Sequence, residues 1–398
     1  MHQMPGNAGA VELGSGENLR LTVTQHPAID PIADEWDRFV PRDVPHLRAG
    51  FLRAIERGEM LEAPCYLLAW QEDRLLAVAF AYSVQLDTTM SASPRARKWI
   101  RRVRTVFPRF LWRRMRICGP PVSNGECGFY FDAQLPPAGR RQVLRAIMSE
   151  VIASAGRKQM VFVKEFTDEA KEEYASELDA LGFFSVDPGP ATSMALKWDS
   201  FDDYLSALKK RYRRRIRTDL KAGSELDIQL VDSFAELAPT ASALYNQVVA
   251  RATYNLEKAT EGFFAAVSDF DQASLVVARD RETSEVAGVN LLLFGDTCMH
   301  NLYIGFDGEQ NERCNTYFNL VENSLRFAIE RKFQICYFGP ASYEFKTRLG
   351  ATTFPLTAYM LHPVRFVHRM LQSSRDKLWP KEEIPSHDVF QDERSGDG

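Results

Sequence analysis

The order of landmarks in the first half of this chain returns in the second, and that repeat restricts the fold more than any single motif. The run RKQMVFVK from Arg157 to Lys164 precedes Leu181-Gly-Phe-Phe and Ala191-Thr-Ser-Met-Ala-Leu196. In the same order, RKFQICYF from Arg331 to Phe338 precedes Leu349-Gly-Ala and Leu356-Thr-Ala-Tyr-Met-Leu361. Further upstream, the apolar run from Arg74 to Tyr82 matches that from Glu285 to Leu293, each a strand after a charged turn. Two copies are too few for a solenoid, so the pattern predicts two globular α/β units side by side. At 398 residues the chain exceeds one ordinary hydrophobic core, and two units of roughly 150 to 200 residues fit. The expected boundary falls near Trp198. It gives a disordered arm at 1–18, domains at 19–198 and 199–370, and a polar tail at 371–398.

Composition excludes several classes. A net charge of −4 offers no global attraction for nucleic acid, so a polyanion site must be local. The six cysteines are widely spaced with no C-x-x-C, which reads as reduced thiols. Residues 1–16 are polar and glycine-rich, unlike a signal peptide, and no apolar stretch is long enough to cross a bilayer. A soluble, cytoplasmic, non-transmembrane protein is the expectation. No metal-ligand spacing, Walker loop or G-x-S-x-G occurs, so no metal is expected.

Two segments are locally basic. Arg95 to Arg116 holds ten Arg or Lys residues, no acid, and interleaved Trp99, Phe107, Phe110 and Trp112. It is expected to form short helices interrupted at Pro108, with peripheral membrane contact as one role. From Lys209 to Lys221 there are eight basic residues and a lone acid, Asp219. On a single helix running on from the Asp199-Ser-Phe-Asp-Asp start, Lys210, Arg213, Arg214 and Arg217 form a stripe suited to phosphates. A solvated face is the bland alternative.

Near the chain end, Gln334 to Phe338 reads as a buried strand that Gly339-Pro340 must end. Phe345 and Lys346 then lie close to a strand end, where α/β sheets commonly place ligands. Alternation along the preceding strand puts Asn301 and Tyr303 on one face and His300 on the other. His300 has the ordinary pKa of a general base. Tyr343, Tyr337 and Asn315 are further polar groups that can converge on the same cleft. For each, a satisfied core or surface residue is the competing reading.

The element order, with Phe201-Asp-Asp-Tyr-Leu, Lys210-Arg-Tyr-Arg-Arg-Arg-Ile-Arg217, Leu302-Tyr-Ile-Gly-Phe306 and Tyr343-Glu-Phe-Lys346, resembles the tandem GNAT group. That group holds FemABX-type peptidoglycan enzymes and BioF2-like acyltransferases. The resemblance spans roughly 19–369 and implies two GNAT-like domains, each a mixed central sheet flanked by helices. It also implies acyl or aminoacyl transfer to an amine, centred in the second half. A Phe-Lys pair beside the aminoacyl end of a charged tRNA maps onto Phe345 and Lys346. Asn301, Tyr303, Asn315, Tyr337 and Phe345 are the candidate substrate contacts, and Lys346, His300 and Tyr343 the candidate catalytic groups. Lys346 is expected to steady an oxyanion.

The turn that cradles the pyrophosphate of CoA in GNAT enzymes reads Gly305-Phe-Asp-Gly-Glu-Gln-Asn-Glu-Arg-Cys-Asn315. It lacks paired glycines and carries Asp307, Glu309 and Glu312. No tightly bound cofactor is therefore expected. The donor leans to aminoacyl-tRNA, with an acyl-CoA or acyl-carrier-protein thioester as the alternative. A non-catalytic binding module for an anionic cell-wall precursor is the third reading.

Overall fold

Runs of Val, Leu, Phe and Tyr between Gly, Pro and charged turns become strands, and heptad-like apolar spacings become the helices that cover them. The computed structural model describes residues 20–87, 112–122, 125–157, 159–251, 258–381 and 384–391, with Arg102 and Thr105 between the first two. The expected arm and most of Arg95–Arg116 lie outside these residues. Strands β1 (Thr22–His26), β2 (Glu62–Gln71), β3 (Arg74–Asp87), β4 (Trp112–Cys118), β5 (Phe129–Phe131), β6 (Met160–Phe166) and β7 (Phe184–Val186) come from the first half. After β8 (Ala191–Ala195) follow β9 (Leu226–Val231), β10 (Ala273–Asp280), β11 (Val286–Phe294), β12 (Cys298–Phe306), β13 (Ile335–Tyr337), β14 (Thr352–Phe354) and β15 (Thr357–Leu361).

They form an eight-stranded sheet in the order β1-β2-β3-β4-β6-β15-β7, with β5 on β3, and a seven-stranded sheet in the order β14-β8-β13-β12-β11-β10-β9. Sequence and sheet membership therefore part company. Strand β15, near the chain end, inserts between β6 and β7, pairing Tyr359 with Val163 on one side and Ser185 on the other. In return β8 inserts between β13 and β14, pairing Ser193 with Tyr337 and Thr352. The repeat explains the symmetry, since β7–β8 and β14–β15 are the matched landmark pairs of the two halves. Each half lends one strand to the other. The boundary at Trp198 divides the sequence, but the sheets do not follow it.

Each sheet is covered by helices whose apolar spacing suits them to it. Val143, Leu144, Ile147 and Val151 of the helix Pro137–Ala155 pack on the first sheet. Leu320, Val321, Leu325 and Ile329 of the helix Thr316–Glu330 pack on the second. The halves also share a core, with Phe51 edge-on to Phe263 at 5.7 Å. Across the same junction Asp43 accepts from the Thr297 amide (2.7 Å) and hydroxyl (3.0 Å).

Three local expectations are corrected. Residues 112–118 are strand β4 and not helix, with Arg116 buried and donating to the Ala63 carbonyl at 2.7 Å. The single helix expected through Leu208 is two, Phe201–Ala207 and Lys210–Ala222. Leu208 is extended and bridges to Phe390. That bridge also corrects the tail. Val389 is buried, Phe390 lies 5.2 Å from Trp198 between ring centroids, and the Lys209 amide donates to the Val389 carbonyl. Apolar Val389-Phe390 was hidden among polar neighbours.

Candidate active site

Strands β12 and β13 run parallel and pair only at Cys298–Ile335, Met299–Cys336 and His300–Tyr337. Beyond that point Gly339-Pro340 ends β13 while β12 continues to Phe306, so the two strands separate. On the other side of β12, Tyr303 pairs with Leu291 and Asn301 with Leu292, which leaves Leu302 bulged out of the register. A bulge re-aims side chains and breaks the ladder. Asn301 accordingly accepts from Asn290 (2.8 Å) and donates to the Tyr337 carbonyl (3.1 Å). Tyr303 packs on the other layer, with Tyr245 and Phe263. The simple alternation expected for these two residues is thus interrupted by one inserted residue.

The separation opens a cleft of about 1440 Å³ between the halves, walled by Pro121, Val122, Lys164, Glu165 and Pro188 on one side and by 301–304 and 338–346 on the other. Of the residues singled out from sequence, Lys346, Tyr343, Phe345, Asn301 and Tyr303 all line it. Phe345 lies 4.7 Å from Phe318 and 5.5 Å from Tyr317 between centroids, giving an aromatic wall. Tyr343 donates its hydroxyl to the Pro190 carbonyl at 2.9 Å.

Lys346 sits on the short helix Tyr343–Leu349 and is only 6% exposed. Its ammonium donates to the carbonyls of Phe338 (2.6 Å), Gly339 (3.1 Å) and Pro340 (2.9 Å). Burial pushes it down to about 7. The three carbonyls pull the other way, because a neutral amine would turn its lone pair on one of them. All three N–H bonds are committed to the turn that ends β13. Lys346 therefore shapes the cleft by tying down this turn, and in this arrangement it has no N–H left for an oxyanion.

Sequence reading passed over two acids in this cleft. Asp219, on the helix Lys210–Ala222, accepts from Arg215 Nε (2.9 Å) and Asn315 Nδ2 (2.9 Å). Asn315 thus contacts Asp219 and does not itself line the cleft. Glu322, on the helix Thr316–Glu330, lines the cleft, is 1% exposed, and neither carboxyl oxygen has a hydrogen-bond partner among the described residues. Burial, then the Asp219 carboxylate, pushes it well above the usual carboxylate range, while Arg215 and Arg326 oppose the shift. The signal was present in the chain: Glu322 shares its stripe with Leu325 and Ile329, and Asp219 shares one with Tyr212 and Ile216. An acid at a core position of an amphipathic helix is a poor structural choice.

Other predicted residues lie elsewhere. His300 is fully buried and stacked on Tyr337 (centroids 4.6 Å), with its Nε2 3.3 Å from Cys298 Sγ. Its neighbours include His46, itself 3.2 Å from Glu126. Tyr337 faces a separate cleft of about 510 Å³ with Glu126 and Phe354. His300 is thus placed as a core group and not as a base of the larger cleft. Lys210, Arg214 and Arg217 are exposed and Arg213 half-buried, on the outer face of a helix whose inner face carries Tyr212 and Arg215 to the cleft.

Burial lowers His300 from 6.5 to about 4, outweighing the opposing Glu126 carboxylate. A folded value below the unfolded one means the unfolded chain takes up the proton first as pH falls. The stabilisation is complete above 6.5 and lost as pH falls towards 4, a change of about 3 kcal/mol. Urea unfolding across that window should show His300→Gln with a flatter pH dependence than the parent. Equal slopes would place the titration elsewhere.

Residues 206–347 match the family model described as an acetyltransferase (GNAT) domain. Among solved structures the chain is similar to FemX, with 12% identity, a TM-score of 0.54, and 85% of this chain and 98% of that one covered. It is also similar to the C-terminal domain of a putative lysylphosphatidylglycerol synthetase from Agrobacterium fabrum, with 10% identity, a TM-score of 0.51, and 90% and 98% covered. No curated protein matches the chain in sequence. The two likenesses show a fold shared across both halves, two mixed sheets flanked by helices, and the match to the GNAT domain model falls within the second half.

Proposed function

We propose that this tandem GNAT protein transfers an aminoacyl group from a charged tRNA to an amine acceptor in the cleft of its second half. The observation that carries the transfer chemistry is the separation of β12 from β13 at His300–Tyr337, with Leu302 bulged at the opening. A backbone amide released from a ladder at a cleft wall can serve the carbonyl oxygen as it gains charge. The acceptor arrives as an ammonium, and Glu322 takes its proton. The amine nitrogen then bonds to the acyl carbon, the ester bond to the ribose oxygen breaks, and the second amine proton passes to that oxygen. Lys346 holds the turn 338–340 in place throughout.

Two observations favour an RNA donor. Lys210, Arg213, Arg214 and Arg217 lie on the outer face of the helix that walls the cleft, where a phosphate backbone would reach them while its end enters. The helix Gly308–Cys314, where a CoA pyrophosphate would be cradled, is capped by Asp307, whose carboxylate accepts from the Gln310 amide. A carboxylate already occupies the anion's place.

The test is product formation from a mixed aminoacyl-tRNA pool and a panel of amines, with and without RNase, beside matched acyl-CoA donors. RNase should abolish the product. Product from the acyl thioester alone would exchange the donor while keeping the transfer. Replacing the four stripe residues together by Gln should weaken RNA binding and reduce its log–log salt slope by up to about 3. An unchanged slope would remove the stripe from the reading.

A further inference from the structure

Four large apolar side chains stand exposed among the described residues, and all lie within 364–378: Val364 (50%), Phe366 (77%), Met370 (49%) and Leu378 (38%). The helix Arg365–Ser373 that carries two of them has no buried residue. Its inward side is accounted for, since Leu371 packs on the Phe184, Val186, Ala358 and Met360 cluster and the His368 ring lies 5.0 Å from Phe184. Phe366 and Met370, four residues apart, form an outward ridge. Arg365 and Arg369 lie along its flank, and Arg375 and Lys377 follow on the next turn of chain. In a chain of net charge −4, residues 362–378 hold four Arg or Lys, two His and a single acid, Asp376.

We propose that this segment docks the protein on an anionic membrane surface, with the helix Arg365–Ser373 lying in the plane of the interface. Phe366 and Met370 enter the boundary between headgroups and acyl chains. Arg365 and Arg369 lay their stems beside them and present guanidinium heads to lipid phosphates. The cationic flank decides between occupants. A second copy of this chain docked face to face would bring the same arginines against one another, whereas an anionic surface complements them. Among the described residues no helix is long and apolar enough to cross a membrane, so the helix rests on the bilayer. This inference is independent of the acyl-transfer reading.

Vesicle flotation tests it with the full chain, using phosphatidylcholine alone and phosphatidylcholine mixed with phosphatidylglycerol. The parent should float with the mixed vesicles, less so as salt rises, and should not float with the neutral ones. F366E/M370E should lose partitioning by roughly tenfold or more, and R365Q/R369Q should lose it in part. Because these side chains are exposed, circular dichroism and thermal midpoint should stay at parental values, which separates loss of docking from loss of fold. Three results would overturn the proposal: no flotation of the parent on mixed vesicles, equal flotation of F366E/M370E, or a concentration-dependent oligomer seen by light scattering that F366E/M370E disperses.

Discussion

A chain cut at Trp198 will not yield a soluble first half. Residues 1–198 supply β6 and β7 but not β15, which pairs with both and fills the gap between them. They also carry β8 with no sheet to receive it. Without β15 the first core loses Tyr359, fully buried and edge-on to Phe166 at 5.0 Å, together with Ala358 and Met360. Each large side chain contributes about 1.5–3 kcal/mol by burial, and two open strand edges are left to aggregate. Set against a typical domain stability of about 5–15 kcal/mol, that loss removes most of the margin. The two pieces co-expressed should recover a soluble complex. In the intact chain Tyr359→Ala should lower stability by about 3–5 kcal/mol and shift the unfolding of both halves together in one transition. A first half that folds alone and unfolds cooperatively would show the exchange to be dispensable.

That exchange marks where sequence reading stops. The repeat marks 191–196 and 356–361 as equivalent landmarks, and the structure makes each a strand, β8 and β15. Periodicity does not say which sheet receives a strand, because either sheet buries it equally well. The cleft was legible to a similar depth. Gly339-Pro340 forces the chain off β13, which places Phe345 and Lys346 at a strand end, and the structure sets both beside Asn301, Tyr303 and Tyr343. What Lys346 does there was not legible, since its three acceptors are backbone carbonyls of its own turn. The bulge at Leu302 left no trace because any residue tolerates it. Arg113 to Arg116 concealed a strand, since charge density masked the position at which Arg116 turns inward to Ala63. His300 is a candidate base by its pKa in water, and burial removes that property.

Glu322→Leu should give a protein that is more stable and inactive. The parent buries a carboxyl that has no hydrogen-bond partner among the described residues, on a stripe with Leu325 and Ile329, an arrangement that costs about 1–3 kcal/mol. Leucine fills a similar volume against the same core, so the denaturation midpoint should rise by a corresponding amount. If Glu322 takes the proton from the acceptor ammonium, turnover should fall by about 10²- to 10⁴-fold. Glu322→Gln separates base from shape: it keeps the size, loses the proton acceptor, and should be as slow as the leucine variant. The pH profile gives the sign. In the parent, kcat/KM should rise with pH through a step above the ordinary carboxylate range, because burial and Asp219 hold Glu322 protonated below it. That step should be absent from the residual activity of Glu322→Gln. Opposite signs for stability and turnover are what a site group produces when it is kept at a structural cost. A leucine variant that is stabilised yet retains parental turnover would return Glu322 to the core and leave the cleft without its base.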